Sequence, residues 1–434
     1  MKQNLKYLAC LIFMIFLQGT GFSLLAQQSS KTLLNTGTLP NGIGVQLKNK
    51  RYTNQDLDKI KELGLTWVRH GFIWSSVEKV KGEYDFSYYD EAVRNITEKG
   101  LNIVGCIAFS NQLYGAHAKD EPGRTGYANF AAALVARYKD YNIVWEIWNE
   151  PNTMTFWGRH GGVGNSELYA SEYVGLVKAA VPAMKKADPD CIIFGGAVSN
   201  MWIESYKWMS YCFRDGLLAT GIDVLSVHPY GLKAPEDYVF AYDTTRTLML
   251  NAGGPVLPLF DTERGFPLGE NEGYAGGDSE HSKEYQAWHI VRQYLIDRYL
   301  GVIGTIWYEW SGTDNEINFS LFSKDEELPV YTATKVMIDQ LSGYTFEKRI
   351  ELNNPRDFVL MFLNKNGKRK LVAWTSPPPM ETVDKTRPHE VTIPVDQNGT
   401  YQLVDIYGKE SKKTSGNLRL MLTGSPKYIL LNNK

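Results

Sequence analysis

Cysteine is scarce in this chain of 434 residues, which contains only four. Cys10 lies in an N-terminal apolar stretch, and Cys106, Cys191 and Cys212 lie in three separate apolar segments. If Cys10 is removed with a leader, three cysteines without paired spacing remain, which argues against a fold held together by disulfides even in an oxidising compartment. We therefore expect these three thiols to be small buried side chains of a hydrophobic core.

An excess of positive charge is also missing. The formal net charge is -2 at pH 7, and removal of a leader containing Lys2 and Lys6 would take it to -4. The chain is not expected to bind nucleic acid, because phosphate contacts depend on clustered Lys and Arg. Long apolar runs are absent after the N-terminal segment, so we predict no insertion into a membrane.

The first 26 residues have the pattern of a secretory signal peptide. Two lysines precede the apolar run Leu8–Leu17, and a short tail ends at Ala26 before a polar stretch. A lipoprotein signal is the alternative, since Leu8-Ala9-Cys10 looks like part of a lipobox, but Cys10 precedes most of the apolar run. We expect cleavage near Ala26 and a periplasmic or secreted protein.

From residue 42 onward, short β-rich apolar runs alternate with longer amphipathic segments. This alternation predicts parallel strands joined by crossover helices, and eight strands close a (β/α)8 TIM barrel of the α/β class, which we assign to residues 27–343. The predicted strands are Ile43–Leu47, Trp67–Phe72, Asn102–Phe109, Val144–Trp148, Cys191–Gly195, Val224–Val227, Val256–Phe260 and Ile303–Trp307. The predicted helices are Asn54–Leu63, Tyr88–Lys99, Tyr127–Tyr138, Glu167–Ala187, Lys283–Tyr299 and Tyr331–Leu341.

The pattern changes after Ser342-Gly343. Residues 344–434 alternate with a period of two, carry turn signals at Asn366-Gly367 and Asn398-Gly399, and contain no convincing helix. We predict a small antiparallel β-sandwich that packs on the barrel as an accessory domain. Its predicted strands are Phe358–Leu363, Lys370–Thr375, Glu390–Pro394, Tyr401–Tyr407, Leu418–Leu422 and Lys427–Leu431.

Two glutamates directly follow predicted strands, where the reacting side chains of such barrels are found. Glu150 follows the fourth strand and Glu263 follows the seventh. Hydrolysis of a glycosidic bond needs an acid that protonates the departing oxygen and a second carboxylate on the opposite face of the sugar. Carboxyl groups about 5–5.5 Å apart give retention of configuration and about 6.5–9.5 Å inversion, a distance that the sequence leaves open.

The motifs around these glutamates resemble clan A of the glycoside hydrolases, and family 39 is the nearest form. The resemblance is carried by Trp145-Glu146-Ile147-Trp148-Asn149-Glu150-Pro151-Asn152, Val227-His228-Pro229-Tyr230 and Thr262-Glu263, and it covers roughly residues 40–343. It implies a retaining glycosidase without a cofactor, in which Glu150 is the acid/base and Glu263 the nucleophile.

The same resemblance implies roles for the neighbouring polar residues. Asn149 would bind the 2-hydroxyl of the sugar, Arg69 and Tyr230 would orient the nucleophile, and His228 would line the pocket. A cation and a phenol should both favour an ionised Glu263. Core or rim hydrogen bonding is the alternative role of Arg69, Tyr230 and His228.

Other acidic residues at strand ends need a different interpretation. Glu146 shares a face with Glu150 and is expected to be a buried partner of an arginine such as Arg69. Asp261 is expected on the same face as Glu263, deeper in the barrel, and it or Glu309 could tune the site without reacting.

Aromatic side chains near strand ends are candidates for stacking against the apolar face of a sugar. Trp307 is the favoured platform, and Trp310 and Trp157 are further candidates for substrate binding. Trp74 and Trp202 are lesser ones. Packing of the barrel rim is the alternative role for all of them.

Metal binding is not indicated, because the histidines are scattered and no two lie at ligand spacing. The loop acids Asp278, Glu280 and Asp314 show no ordered ligand pattern. The expected substrate is a poly- or oligosaccharide with a β-xylosidase-like or related β-glycosidic linkage. Trp307-Tyr308-Glu309-Trp310 departs from the ending typical of family xylosidases, so the sugar stays open. A carbohydrate-binding protein without turnover is the alternative function.

Overall fold

Eight parallel strands close into a barrel in the computed structural model of the chain. Each strand pairs with its two neighbours in chain order, and the first pairs with the eighth. The strands are β1 Ile43–Leu47, β2 Trp67–Ile73, β3 Asn102–Ala108, β4 Ile143–Ile147, β5 Ile192–Ser199, β6 Val224–His228, β7 Leu259–Arg264 and β8 Thr305–Trp307. The structure describes residues 32–115, 117–158, 164–268, 279–311, 319–323, 326–395, 400–411 and 414–432. The predicted signal peptide lies outside these ranges.

A helix follows each strand and covers the outside of the barrel. The helices are α1 Asn54–Leu63, α2 Ser87–Glu98, α3 Gly123–Tyr138, α4 Glu167–Ala187, α5 Ile203–Arg214, α6 Tyr238–Asn251, α7 Ser279–Tyr299 and α8 Pro329–Leu341. The bounds of α1 follow from its ends: Thr53 and Asp56 form a capping box, and Gly64 takes the left-handed conformation at φ 91°.

Two of these helices, α5 and α6, were missed from the sequence. The buried side of α6 consists of tyrosine, alanine, threonine and methionine side chains, so its apolar period is weak. Short elements add to the barrel: a turn of helix at Trp74–Val77, a hairpin of Glu78–Val80 with Glu83–Tyr84, and a second of Phe322–Ser323 with Glu326–Glu327.

Strand β7 lies further along the chain than predicted, starting at Leu259 after Pro258 and continuing to Arg264. Thr305 of β8 pairs with Asp261, whereas Trp307 pairs with Arg264, so β7 has one extra residue between the two pairs. This β-bulge changes which side chains face the barrel interior. The expectation that Asp261 shares a face with Glu263 is therefore wrong. The Asp261 carboxylate accepts from Gln293 of α7 on the outside of the sheet.

The interior of the barrel is apolar at its lower end. Its buried cluster contains Trp67, Val104, Val144, Ile192, Phe194, Val224, Phe260 and Ile306. Leu33 and Leu34 pack against this cluster. Polar side chains follow toward the carboxyl ends of the strands, so a polar site can form only at that mouth.

The C-terminal part is an antiparallel β-sandwich of two sheets, as predicted. A six-stranded sheet has the order β9-β10-β11-β16-β13-β14, and a two-stranded sheet pairs β12 with β15. The strands are β9 Tyr344–Arg349, β10 Asp357–Asn364, β11 Arg369–Thr375, β12 His389–Ile393, β13 Thr400–Val404, β14 Thr414–Ser415, β15 Leu418–Leu422 and β16 Lys427–Asn432. The predicted domain boundary at residue 343 falls between α8 and β9.

Apolar packing continues from the barrel into the sandwich. Tyr299 of α7 makes edge contacts with Phe346 of β9 and Phe358 of β10, and Phe358 stacks on Trp374 of β11. From Leu33 onward the chain forms one compact unit. The thiols of Cys106, Cys191 and Cys212 are buried and are not joined in disulfides, as expected. Among the described residues, no helix has the length and apolarity needed to traverse a bilayer.

Candidate active site

The polar residues singled out from the sequence meet at the carboxyl ends of four barrel strands. Arg69 comes from β2, His228 ends β6, and Glu263 lies near the end of β7. Asn149 and Glu150 follow β4, and Tyr230 follows β6. These six residues form one hydrogen-bonded cluster with Glu146, Thr262 and Gln46.

Glu150 and Glu263 lie close together across the mouth. One carboxylate oxygen of each and one ring nitrogen of His228 all lie within 4.8 Å of one another. An upper bound of 4.8 Å between these oxygens is closer to the spacing of about 5–5.5 Å found in retaining glycosidases than to the spacing of about 6.5–9.5 Å found in inverting ones. Three such groups could also ligate a cation. Among the loop acids considered as cation ligands, Asp278, Asp314 and the side chain of Glu280 lie outside the described part.

Arg69 is the centre of the cluster and is 3% exposed. Its Nε donates to Glu146 at 2.7 Å, Nη1 donates to Glu263 at 2.7 Å, and Nη2 donates to Asn149 at 2.7 Å. Nη1 also donates to Gln46 Oε1 at 2.9 Å. One buried guanidinium therefore fixes the positions of a structural carboxylate, the candidate nucleophile and a candidate substrate-binding amide.

The charge of Glu263 is set by opposing influences. Burial raises its pKa, and the nearby charges of Glu150 and Glu146 raise it further, while Arg69, and His228 when it is protonated, lower it. Arg69 therefore favours the ionised form, as expected, but the net shift of the pKa is upward. Removal from water costs the carboxylate more than its hydrogen-bond partners restore.

Tyr230 completes the contacts of Glu263. Its hydroxyl donates to Oε1 of Glu263 at 3.3 Å. Burial, followed by the charge of Glu263, raises the pKa of Tyr230 well above the ordinary value for tyrosine. The phenol therefore stays protonated and acts as a hydrogen-bond donor.

Glu150 is presented by a strained turn after β4. Trp148 and Glu150 have positive φ angles of 71° and 47°, a region that non-glycine residues rarely adopt. Asn152 anchors this turn to the end of β5, donating to Ser199 O at 2.8 Å and accepting from Ser199 N at 2.9 Å. Oε1 of Glu150 lies 3.1 Å from Nδ1 of His228. The turn therefore aims a partly enclosed carboxyl group at the pocket.

Asn149 is held by its oxygen, which accepts from Arg69. The amide nitrogen is the end that can donate to a sugar hydroxyl. Glu146, predicted as a buried partner of Arg69, is 0% exposed and forms that ion pair. Burial opposes its ionisation, but Arg69, the hydrogen bond from Thr262, and His228 when it is protonated hold its pKa below the usual value.

The three tryptophans predicted to bind substrate are buried instead. Trp307 and Trp310 are 0% and 1% exposed, and their indole nitrogens donate to Phe319 O and to Asp56. Trp157 is 1% exposed, donates to Glu172 and packs against Trp148. Rings enclosed on both faces cannot stack on a sugar, so these residues belong to the framework. Trp74 is buried as well, whereas Trp202 is 52% exposed.

Tyr308 takes the position at the end of β8 that the sequence interpretation gave to Trp307. It is partly buried, and its backbone N–H donates at 3.1 Å to the carbonyl oxygen of Arg264, the residue after the candidate nucleophile. Lys48 Nζ lies 5.3 Å from the ring centroid and 3.2 Å from Glu309. The period-two alternation of side chains along β8 could have identified Tyr308 from the sequence, since Ile306 faces the interior and Tyr308 lies two residues further.

Comparison with known proteins relates this chain to carbohydrate-active enzymes. The family model described as Cellulase (glycosyl hydrolase family 5) matches residues 29–251, slightly more than half of the chain. The beta-xylosidase of Geobacillus stearothermophilus is 27% identical over 315 residues, which cover 60% of this chain and 56% of that protein. The chain therefore matches little more than half the length of this relative.

Solved structures share the fold. A family 39 glycoside hydrolase from the gut symbiont Bacteroides cellulosilyticus WH2 superposes with a TM-score of 0.69 at 22% identity, covering 90% of this chain and 81% of that one. A monomeric beta-xylosidase from Caulobacter crescentus CB15 gives a TM-score of 0.63 at 15% identity, covering 90% of this chain and 96% of that one. At these identities the likeness concerns the fold.

Proposed function

Since this chain belongs to the family of the Cellulase model, within clan A of the glycoside hydrolases, and is most like family 39, we propose that it hydrolyses glycosidic bonds with retention of configuration. The observation that carries the proposal is the pair Glu150 and Glu263, whose carboxylate oxygens approach within 4.8 Å at the barrel mouth. The two glutamates have different partners, and this difference assigns their roles.

Glu263 is the nucleophile. Arg69 and Tyr230 donate to its two oxygens, which favours the carboxylate form and fixes its orientation. Glu263 attacks the anomeric carbon while Glu150 gives a proton to the departing oxygen, so the leaving group departs as a neutral alcohol. The product of this step is a glycosyl ester on Glu263.

Glu150 is the general acid in the first step and the general base in the second. After esterification Glu263 carries no charge, and Glu150 takes a proton from the water that attacks the anomeric carbon. Two inversions at that carbon give net retention. The amide nitrogen of Asn149, whose oxygen is fixed by Arg69, is positioned to donate to the sugar 2-hydroxyl.

The substrate class is a β-linked poly- or oligosaccharide, with β-xylosides as the first candidates. The name of the Geobacillus stearothermophilus relative supports this choice. The partly buried ring of Tyr308, which follows β8 at the barrel mouth, supplies an apolar surface for the sugar. The N-terminal pattern of the first 26 residues supports action in the periplasm or outside the cell.

Chemical rescue tests the reaction and the two roles together. Glu150→Ala and Glu263→Ala are assayed with an aryl β-xyloside in the presence of azide. In Glu263→Ala, azide takes the place of the missing carboxylate, attacks the substrate and should give an α-glycosyl azide. In Glu150→Ala it attacks the ester intermediate from the opposite face and should give a β-glycosyl azide.

The two variants also have a matched control. Glu172→Gln removes a carboxylate that contacts buried Trp157 and is not part of the cluster, so azide should have no effect on it. Full activity in both alanine variants without azide would contradict the assignment. Binding of xylooligosaccharides by the native chain without any cleavage would instead support a carbohydrate-binding protein.

A further inference from the structure

A chain of hydrogen bonds connects Glu146 with Glu150 through two buried side chains. Thr262 Oγ1 lies 2.6 Å from Oε1 of Glu146, and it also lies 3.1 Å from Nε2 of His228. Nδ1 of the same ring lies 3.1 Å from Oε1 of Glu150. Thr262 and His228 are both 0% exposed, so water does not compete for these contacts.

The donors and acceptors in this chain can be assigned from one end. Burial opposes the ionisation of Glu146, but its ion pair with Arg69 at 2.7 Å lowers its pKa, so Glu146 is a carboxylate and only accepts hydrogen bonds. Thr262 has one hydroxyl hydrogen, and the contact with Glu146 uses it. The threonine oxygen can therefore only accept from His228, so Nε2 of the imidazole carries hydrogen.

The other ring nitrogen then determines where a proton lies next to Glu150. In the neutral imidazole, Nδ1 has a lone pair and no hydrogen. A lone pair and a carboxylate oxygen do not attract at 3.1 Å, so a proton lies between Nδ1 of His228 and Oε1 of Glu150. A neutral histidine with this tautomer obliges Glu150 to be the donor, which is the protonated form that a general acid needs.

We propose that Thr262 is a positioning residue that fixes the tautomer of His228 and thereby keeps a proton on Glu150 for delivery to the leaving group. The proposal rests on the function proposed above. The hydroxyl of Thr262 contacts Glu146 and His228, and it acts through the imidazole. No additional reactant is needed, because the same proton passes to the leaving oxygen and a water proton restores it in the second step.

Valine is the informative substitution at this position. It keeps the shape of threonine and removes the acceptor, so Nε2 of His228 no longer has a partner for its hydrogen. The added methyl occupies the place of the hydroxyl, which keeps Nε2 from closing the 4.0 Å gap to Glu146. The tautomer with hydrogen on Nδ1 then becomes accessible, and it donates to Glu150 and favours the carboxylate.

The kinetic test compares two substrates with the same sugar and different leaving groups. A dinitrophenyl group departs without a proton, whereas an alkyl group or a second sugar needs general acid catalysis, which contributes about 10²–10⁴-fold. In Thr262→Val, kcat/KM should fall tenfold or more for the poor leaving group and less than about threefold for the activated one. Thr262→Ser retains the hydroxyl and should restore the activity toward the poor leaving group.

A purely structural role gives a different result, since misfolding or loose packing lowers kcat/KM equally for both leaving groups. An equal loss, or no loss, in Thr262→Val would overturn the proposal. Thermal unfolding of both variants shows whether they fold.

Nitrogen NMR of histidine-labelled protein tests the tautomer without turnover. His228 should carry hydrogen on Nε2 in the native chain and shift toward Nδ1 in Thr262→Val, and His228→Gln identifies its signals among the seven histidines. A native chain with hydrogen on Nδ1 alone would overturn the inference. A native chain with the expected tautomer and no glycosidase activity would instead contradict the proposed function and leave the tautomer assignment in place.

Discussion

Thr262 and Glu263 are adjacent on β7, and both side chains contact the same buried ion pair inside the barrel. Thr262 donates to Glu146 at 2.6 Å, and Glu263 accepts from Arg69 at 2.7 Å. Successive residues of a regular strand face opposite sides of the sheet, so this arrangement requires the bulge opposite β8. The bulge brings the candidate nucleophile and the residue that positions His228 into one network.

The ion pair of Arg69 with Glu146 should dominate the stability of this network. Arg69→Met leaves Glu146 buried without its cation, and breaking a buried pair in this way costs about 3–5 kcal/mol. The double variant Arg69→Met with Glu146→Leu removes both charges and should recover much of the lost stability but not the activity, because Glu263 still lacks its donor. Urea unfolding measures the free energies. A double variant no more stable than Arg69→Met would contradict the argument.

The acid limb of the pH profile should report Glu263. Its pKa is raised, first by burial, and only the ionised form attacks. For an activated aryl glycoside, kcat/KM should therefore fall, as pH decreases, at a pH above the ordinary glutamate pKa of about 4.3. Glu146→Gln removes a neighbouring negative charge and should move this limb to lower pH. A limb at or below the ordinary value in the native chain would be inconsistent with the burial of Glu263.

Tyr308 should contribute to sugar binding, whereas Trp307 should not. Tyr308→Ala removes a partly buried ring at the barrel mouth and should lower kcat/KM by about 2- to 10-fold, since aromatic contacts contribute about 0.5–1.5 kcal/mol beyond their buried area. Tyr308→Phe should retain most activity. Trp307→Phe is the matched control at the preceding residue, and it should lower the melting temperature with little change in KM. The reverse pattern would restore Trp307 as the platform.

A second acidic pair, Asp261 and Asp297, should make stability depend on pH. Burial raises the pKa of Asp297 to about 7 and that of Asp261 well above its ordinary value, and the charge of Asp297 raises the pKa of Asp261 further. A folded-state pKa above the unfolded one stabilises the fold at low pH, and this contribution disappears as pH rises through about 7.

Asp297→Asn removes the titrating group and should flatten this dependence. Urea unfolding of the native chain should give a lower free energy at pH 8 than at pH 5, with a smaller difference in the variant. Asp339→Asn on the surface of α8 is the control, because its exposed carboxylate contacts only Lys335 one turn away. Equal pH dependence in the native chain and in Asp297→Asn would contradict the role of the pair.

Much of the barrel could be predicted from the sequence because its strands are short apolar runs and helices such as α1 have clear ends. Glu150 and Glu263, at the carboxyl ends of β4 and β7, were recognised because barrel chemistry occurs at strand ends. Glu146 was correctly paired with Arg69 because alternation along β4 is regular.

The errors have identifiable physical causes. The sequence contains no sign of the bulge in β7, so Asp261 was placed inside the barrel although it faces α7. Trp307 was preferred over Tyr308 on residue type, because burial by the surrounding chain is a tertiary property. Thr262 was not singled out, since its importance depends on the tautomer of a histidine from another strand.

Trp374 of the sandwich donates to Glu236, which also accepts from Arg292 of α7, and Asp237 accepts from the backbone of Met380. Glu236 and Asp237 lie in the segment that connects Tyr230 to α6. The C-terminal sandwich therefore cannot be exchanged between related proteins as an independent domain. A chimera that takes a new sandwich must take the matching β6–α6 connection with it, and sequence change in the two parts must occur in concert.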